Sequence, residues 1–402
     1  MGRGLVGRER FEKSRGSKGH MKRKGYIYES ICEIENLKHA IRMAAKRKHG
    51  NPSAAHALAN IDAAARELRR ILVNRAFAPS PYFVEVIHDG VVGKDREIHK
   101  PKFFPDQCVH WAVMLQIQPL IMRGMYDWSC GSIPRRGLSR CKQGVERWLR
   151  GDPANTKYCL KLDISKFYQS VDHDVLKIAL RRIIKDSDTL AVLDAIIGSV
   201  DHGLPIGNYT SQWFANYYMQ DVDHYVKEIL GVRYYARYID DLVLFGPNKK
   251  VLHAARKKLF AYIENRMRLR VKGNWQLFMV TRFRTRQGRT YTAGRDVDFL
   301  GYRMGHAHTT IRRRTSLRIM RRARKIGRKA HPTIRDAQAM VSYFGIIKHC
   351  DSYRLLMGWI KPYLSIQKLK GVISKWARRQ ATARPRNGSQ SSAIPYVRMC
   401  AT

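Results

Sequence analysis

The sequence predicts an α+β fold organised round a split β-α-β sheet with helices on one face. Two observations predict it. The middle of the chain runs strand, helix, loop, helix, hairpin, helix, strand, with one acid ending the first strand and two at the hairpin tip. On either side of that block the apolar spacing is mostly helical. At 402 residues, 44% of them hydrophobic, the chain can bury a sizeable core in two or three structural units.

Residues 1–25 hold nine Lys and Arg and two acids among Gly and Ser, which predicts a flexible basic arm. From Tyr26 to about Phe77 the spacing is helical, as in "IYESICEIENLKHAIRMAAKRK" and "AAARELRRIL". The stretch "YFVEVIHDGVVGKDREIHKP" reads as a hairpin turning near "HDG". Helices resume between Asp106 and Arg150, broken by "SCGSIPRRG", a Gly/Pro loop with two arginines.

In the central block "KYCLKLDISKFYQSVD" begins as a buried strand that reaches an acid, and the amphipathic helix "HDVLKIALRRIIK" follows. The loop "HGLPIGNYTSQ" leads into a helix on which Phe214, Tyr218, Val222, Tyr225 and Ile229 share one face, the pattern of core packing. Next comes the hairpin "VRYYARYIDDLVLFG", then the helix "VLHAARKKLFAYIENRM" and the strand-like "DVDFLGYRM". From Ile311 to Arg379 the chain is basic and helical, in three segments, and residues 381–402 read as a disordered tail.

Lys+Arg 76 against Asp+Glu 32 give a formal net charge of +44, which is tolerable mainly beside a polyanion, so nucleic acid is the expected partner. No run of 18 apolar residues appears and the start lacks the apolar core of a secretory signal, so a cytoplasmic protein without membrane contact is expected. The seven cysteines are scattered, and read as reduced packing thiols. Cys130 and Cys141 have no His or Cys beside them at ligand spacing, which weighs against a metal role.

The split sheet brings the end of its first strand beside the hairpin tip, so Asp163 faces Asp240 and Asp241. Taken singly, Asp163 also suits a helix cap and the pair suits a turn. Converging carboxylates repel and raise one another's pKa, so they call for a partner. Mg²⁺ prefers such oxygen ligands together with substrate phosphates. Two such ions roughly 4 Å apart activate a 3′-hydroxyl and stabilise leaving pyrophosphate in an in-line displacement, with Mn²⁺ as an alternative ion. The constellation points to nucleotidyl transfer.

The strings "LKLDISKFYQSVDHDVL", "GLPIGNYTSQWFANYYM", "YARYIDDLVLFG" and "FLGYRM" resemble, in order and spacing, the palm motifs of reverse transcriptases. The resemblance runs from about Lys22 to the end of the basic helices and implies the right-hand polymerase fold. Fingers with the N-terminal helices would then occupy 26–160, the palm 161–305 with the loop 201–212 on its fingers side, and a helical thumb 306–380. By position, Asp163 and Asp240 resemble the metal ligands and Asp241 the accessory acid. Tyr168 resembles the aromatic gate that excludes a ribose 2′-hydroxyl, although Phe167 beside it shows that aromatics also occur here as core. Arg96, with Lys94 second, resembles the cation that holds the incoming triphosphate. Phe299, Leu300, Gly301 and Tyr302 resemble the primer grip. In "SCGSIPRRGLSR" the family often carries an arginine where Ile133 stands, leaving Arg135 or Arg136 to replace it or to serve the surface.

The loop Ile206, Gly207 to Gln212 has a Gly-Asn-x-x-Ser-Gln form that resembles diversity-generating retroelement enzymes, whose cDNA carries frequent errors opposite template adenines. Ile206 offers only apolar contact where most bacterial relatives have Gln, so base-pair geometry would be policed less tightly. The resemblance implies a dedicated template RNA, an RNA–DNA duplex and dNTPs as partners, with a small accessory protein. An antiviral-defence reverse transcriptase copying a non-coding RNA is the alternative within the class. A non-catalytic RNA-binding protein is the alternative outside it, opposed by the intact acid set. The insertion "VTRFRTRQGRTYTAGRD" would either bind template RNA or form a long solvated hairpin.

Overall fold

The computed structural model describes residues 23–48, 50–89, 94–286 and 289–382. Most of the predicted arm and tail lie outside these residues, as does the side chain of Lys94. Four helices open the described chain: α1 (Tyr28–Cys32), α2 (Ile34–Ala45), α3 (Pro52–Ala59) and α4 (Ile61–Val73). Asn51 caps α3 by accepting from Ala54 N, and Pro52 suits its first turn. On α2 the buried Leu37, Ala40, Ile41 and Ala44 form one face, the predicted amphipathic stripe. A hairpin of β1 (Phe83–Asp89) and β2 (Lys94–Lys100) follows, and then α5 (Cys108–Arg123).

After α5 the two-residue strand β3 (Ser129–Cys130) leads to α6 (Leu138–Gly151), β4 (Tyr158–Asp163), the single turn α7 (Phe167–Ser170), α8 (His173–Arg181), α9 (Ser187–Ile197) and α10 (Tyr209–His224). The acidic hairpin is β5 (Tyr234–Tyr238) and β6 (Asp241–Gly246), and α11 (Lys249–Asn265) and β7 (Gln276–Met279) complete the block. These strands form one sheet in the order β3-β5-β6-β4-β7, antiparallel except where β3 runs parallel to β5. This is the palm sheet of a right-hand polymerase fold.

Several readings of the sequence are corrected. The final strand of this sheet is β7, which pairs with β4; "DVDFLGYRM" instead folds back on itself as β10 (Val297–Phe299) and β11 (Tyr302–Met304) and joins β12 (Thr309–Ile311) in a separate sheet. Leu300 and Gly301 both have positive φ, the requirement of a two-residue hairpin turn, and that turn splits the expected strand. The insertion before it forms its own hairpin, β8 (Arg282–Arg286) and β9 (Arg289–Ala293). On α10 Phe214, Tyr218 and Val222 are buried as expected, but Ile229 is 43% exposed, because a π-turn over Tyr225–Ile229 shifts the stripe and buries Val226 instead.

Among the described residues the basic C-terminal helices are four: α12 (Arg313–Gly327), α13 (Ile334–Ile347), α14 (Tyr353–Trp359) and α15 (Ile366–Thr382). The third expected segment breaks into α14 and α15 round Pro362, which lacks the N–H a continuous helix needs. α15 also runs to Thr382, into the expected tail. α12 buries Ile319, Ala323 and Ile326, while Arg314, Arg318, Arg321, Arg322 and Lys325 line an open cleft of about 660 Å³. Among the described residues no helix is long and apolar enough to cross a membrane. Cys130 at the end of β3 and Cys141 on α6 meet in the core with their thiols hydrogen-bonded.

Asp186 pins the N-terminal segment to the sheet's helices. Its carboxylate caps α9 through Thr189 N at 3.1 Å and accepts from Ile27 N at 2.6 Å and Tyr28 N at 2.9 Å. Burial opposes its charge, but the bonds from Tyr28, Thr189 and Ile27 outweigh burial and lower its pKa. The stability it contributes is therefore present above the ordinary carboxylate pKa and lost as pH falls through the depressed folded value. Asp186→Ala should cost about 2 kcal/mol in urea unfolding at pH 7, and the deficit should shrink towards pH 3.

Candidate active site

Register in the central sheet decides what meets. β4 and β6 pair antiparallel with Asp163 directly opposite Asp241, and Tyr238 opposite Asp241 leaves Ile239 and Asp240 as a two-residue turn. The end of β4 closes on that turn, since Ile164 N donates to Asp240 O at 3.2 Å. Three acids thus share one end of the sheet. Like charges directly opposite on paired strands repel, so the arrangement opposes stability.

Desolvation by burial is the largest influence on Asp240 and raises its pKa to about 6, with the Asp163 charge acting the same way and Lys272 and Arg96 opposing. Asp241 is pushed to about 7, again chiefly by burial; Lys161 lowers it while Asp163 and Asp240 raise it. Two lysines that the sequence reading did not single out stand against these carboxylates. Lys272 Nζ lies 2.7 Å from Asp163 Oδ2, and Lys161 Nζ lies 3.7 Å from Asp241 Oδ2 while donating to Asp298 O at 2.5 Å. Strand alternation could have flagged Lys161, two residues before Asp163 and hence on its face. Lys272 sits in the segment after α11, which carries no such signal.

Among the described residues no three acids, His or Cys close into a preformed cation cage. The donor set nonetheless suits a hard divalent ion: all ligands are carboxylate oxygens, and Asp163 Oδ1 and Asp241 Oδ1 are buried without a hydrogen-bond partner. Orphaned buried acceptors of this kind are costly unless something binds them.

The other sequence-picked residues divide. Phe167 is buried core, whereas Tyr168 is half-buried and close enough to Asp240 for that charge to help raise its phenol to about 12, after burial itself. Arg96 lies on β2 opposite Ile87, within electrostatic reach of Asp240. Lys94 opens β2, but its side chain lies outside the described residues. The Ile206 carbonyl accepts from His99 N at 2.7 Å, tying the loop to β2. Gly207, at φ +137°, presses so close that a Cβ there would lie 2.1 Å from His99 O. Gln212 is exposed on the first turn of α10.

Phe299 and Tyr302 are buried, so their rings support the β10–β11 turn and present no surface; Leu300 and Gly301 are the part open to a ligand. Lys142, itself buried and paired with Glu146, lies over the Tyr302 ring. Arg135 and Arg136 differ in their contacts. Arg136 donates to Met125 O and Tyr126 O and pairs with Asp127, bracing the end of α5, while Arg135 is exposed at φ +63°.

Ile239 has φ +57°, a strained value for a β-branched residue that costs about 1–3 kcal/mol. Next to it Arg237, wholly buried, makes a bidentate pair with Asp223 of α10. Arg237 carried no sequence signal beyond lying in a strongly apolar segment.

The family profile described as reverse transcriptase (RNA-dependent DNA polymerase) matches residues 105–304. No curated protein matches the chain by sequence. Similar solved structures include apo telomerase from Candida tropicalis, at 10% identity and TM-score 0.45 over 78% of this chain and 66% of that one. Telomerase from Candida albicans with a TWJ fragment of telomeric RNA gives 10% identity and TM-score 0.43 over 78% and 65%. A C. tropicalis telomerase truncated from its C-terminal domain gives 12% and 0.41 over 60% and 58%. The chain spans less than two thirds of the length of each.

The raised pKa values fix the sign of a stability test. A carboxyl whose folded pKa is raised contributes stability below its unfolded pKa and loses it as pH rises through the folded value, near 6 for Asp240 and 7 for Asp241. Asp240→Asn and Asp241→Asn should each raise the thermal midpoint of EDTA-treated protein by about 2–5 °C at pH 8. At pH 4 the advantage should vanish.

Proposed function

From the reverse transcriptase domain that this chain carries over residues 105–304, we propose an RNA-directed DNA polymerase in which Asp163, Asp240 and Asp241 form the nucleotidyl-transfer site. The observation that carries this reading is the β4–β6 register, which sets Asp163 opposite Asp241 with Asp240 in the adjoining turn. Reverse transcriptases generally use divalent metal ions. Asp163 and Asp240 would hold them here, with Asp241 adjacent, and Mg²⁺ when bound supplies Lewis-acid stabilisation of the reacting phosphate oxygens.

The chain's own residues do the rest. Arg96 on the hairpin offers positive charge to a triphosphate and already acts on Asp240. The half-buried Tyr168 fills the space beside Asp240 where a ribose 2′-oxygen would stand. The Leu300–Gly301 turn offers its backbone to a primer strand. In the proposed division, residues 26–160 are fingers, 161–305 palm and 306–380 thumb, and the arginine-lined cleft on α12 takes the phosphates of an RNA–DNA duplex.

Within the class, the loop from Ile206 to Gln212 favours a diversity-generating enzyme that copies a dedicated RNA with errors at adenines. Its backbone is clamped to β2 through His99, so the apolar Ile206 side chain is held where a Gln would otherwise offer hydrogen bonds.

Primer extension on an RNA template with Mg²⁺ tests the first level. Asp240→Ala should lose at least about 10³-fold in incorporation rate, the scale of lost transition-state charge stabilisation; equal incorporation by both proteins removes the metal-site reading. Sequencing cDNA made by Ile206→Gln tests the second. Misincorporation opposite adenine should fall severalfold, and an unchanged spectrum removes the fidelity argument.

A further inference from the structure

We infer that the buried pair Arg237–Asp223 is a positioning device for polymerisation, which holds the carbonyl of Ile239 and thereby aims the carboxylate of Asp240. The inference rests on the reading of Asp240 as a metal-holding acid. Its starting point is the turn. Of its two central residues only Ile239 has positive φ, the place where such hairpins prefer glycine. A β-branched residue stays in that region only if its surroundings over-determine it.

Three bonds do so. Ile239 N donates to Cys130 O at 3.3 Å, Ile164 N donates to Asp240 O at 3.2 Å, and Arg237 Nη1 donates to Ile239 O at 2.9 Å. The last comes from a side chain with every donor engaged. Nε and Nη2 reach Asp223 at 2.8 and 2.6 Å, Nη2 also reaches Ser129 Oγ at 2.5 Å, and Nη1 also reaches Asn216 Oδ1 at 3.2 Å. Tyr235 OH donates to Asp223 as well, fixing the carboxylate from a second side. The guanidinium therefore has no freedom to swing away from Ile239.

The same network grips the turn a second time. Asn216 Nδ2 donates to Gly131 O at 3.1 Å. Gly131 in turn packs so tightly on the turn that a Cβ there would stand 2.9 Å from Ile239 Cγ1. Stability alone does not explain the arrangement, because a buried ion pair is commonly no better than well-packed apolar residues of the same volume. Geometry does explain it. Only a planar fork holds one carboxylate bidentately and still offers an N–H to a carbonyl on its far side; a lysine ammonium is a single point.

The test uses the full chain with oligo(dT)-primed poly(rA), dTTP and a Mg²⁺ titration, and compares wild type with Arg237→Lys and with the double variant Asp223→Asn/Arg237→Gln. The double variant removes both charges together, so neither is left buried alone if the lysine variant fails to fold. Expected is a fall in kcat of about 10²-fold, the scale of a misplacement near 1 Å, with KM for dTTP within about threefold and the Mg²⁺ half-saturation raised about tenfold. A purely structural pair would lower the thermal midpoint and leave those quantities unmoved in the folded fraction, and that result overturns the proposal. Asp240→Ala runs alongside. If it extends primers as wild type does, the metal-site reading itself has failed; if it is inactive while the Arg237 variants keep wild-type kcat and Mg²⁺ dependence, only the positioning role is lost.

Discussion

Three carboxylates at one end of a sheet, two of them directly opposite on paired strands, are the constraint to which the surrounding structure answers. Burial makes each charge more expensive, and repulsion adds to it. The response is a ring of cations at graded distances. Lys272 touches Asp163, Lys161 stands off Asp241, and Arg96 acts on Asp240. None of them satisfies the buried Oδ1 atoms of Asp163 and Asp241, so the site is partly neutralised and still short of ligands. In the function proposed for the site, a divalent ion would meet that shortfall without a built-in counter-ion having to be expelled from every oxygen.

The second lysine also links two parts of the molecule. Lys161 shares its ammonium between Asp241 and the carbonyl of Asp298 beside the Leu300–Gly301 turn, and Arg312 pairs with the Asp298 side chain. The acids and the β10–β11 hairpin are thereby joined by one side chain. Lys142 under the Tyr302 ring braces the same turn from behind. Away from the site, α12 separates its functions by face, with Ile319, Ala323 and Ile326 inward and arginines outward.

What could be read beforehand follows from what is local. Alternation and helical spacing announce β4, the acidic hairpin and the amphipathic helices, and two strands ending in acids imply that the acids meet. Non-local events left no such mark. β3 is two residues long and forms only because β5 lies beside it. The pairing of β7 with β4, in place of the strand-like "DVDFLGYRM", depends on the Leu300–Gly301 turn, which periodicity does not register. Arg237 sits in a strand that reads as uniformly buried, and only the fold supplies Asp223 from another helix to neutralise it. Phe299 and Tyr302 show the converse: both stand in a motif picked from the sequence, yet burial withdraws their rings and leaves the Leu300–Gly301 turn nearer the surface.

The parallel strand β3 has a consequence for how the protein comes into being. Ser129, which binds Arg237, precedes it by 108 residues, so part of the support of the acidic turn belongs to the half of the chain made first, while Asp223 and Asn216 come shortly before the turn itself. Long-range pairings form late because loop closure must precede them, and nascent chains fold from the N-terminus. α5 and α6, on either side of Ser129–Cys130, are made before the β5–β6 hairpin, and β3 becomes a strand only when β5 docks beside it. Once paired, β3 covers part of the β5 edge that would otherwise stand open to other chains. The acid cluster is therefore completed only after its support at Ser129 has been made, with β7 and helices α12 to α15 still to follow.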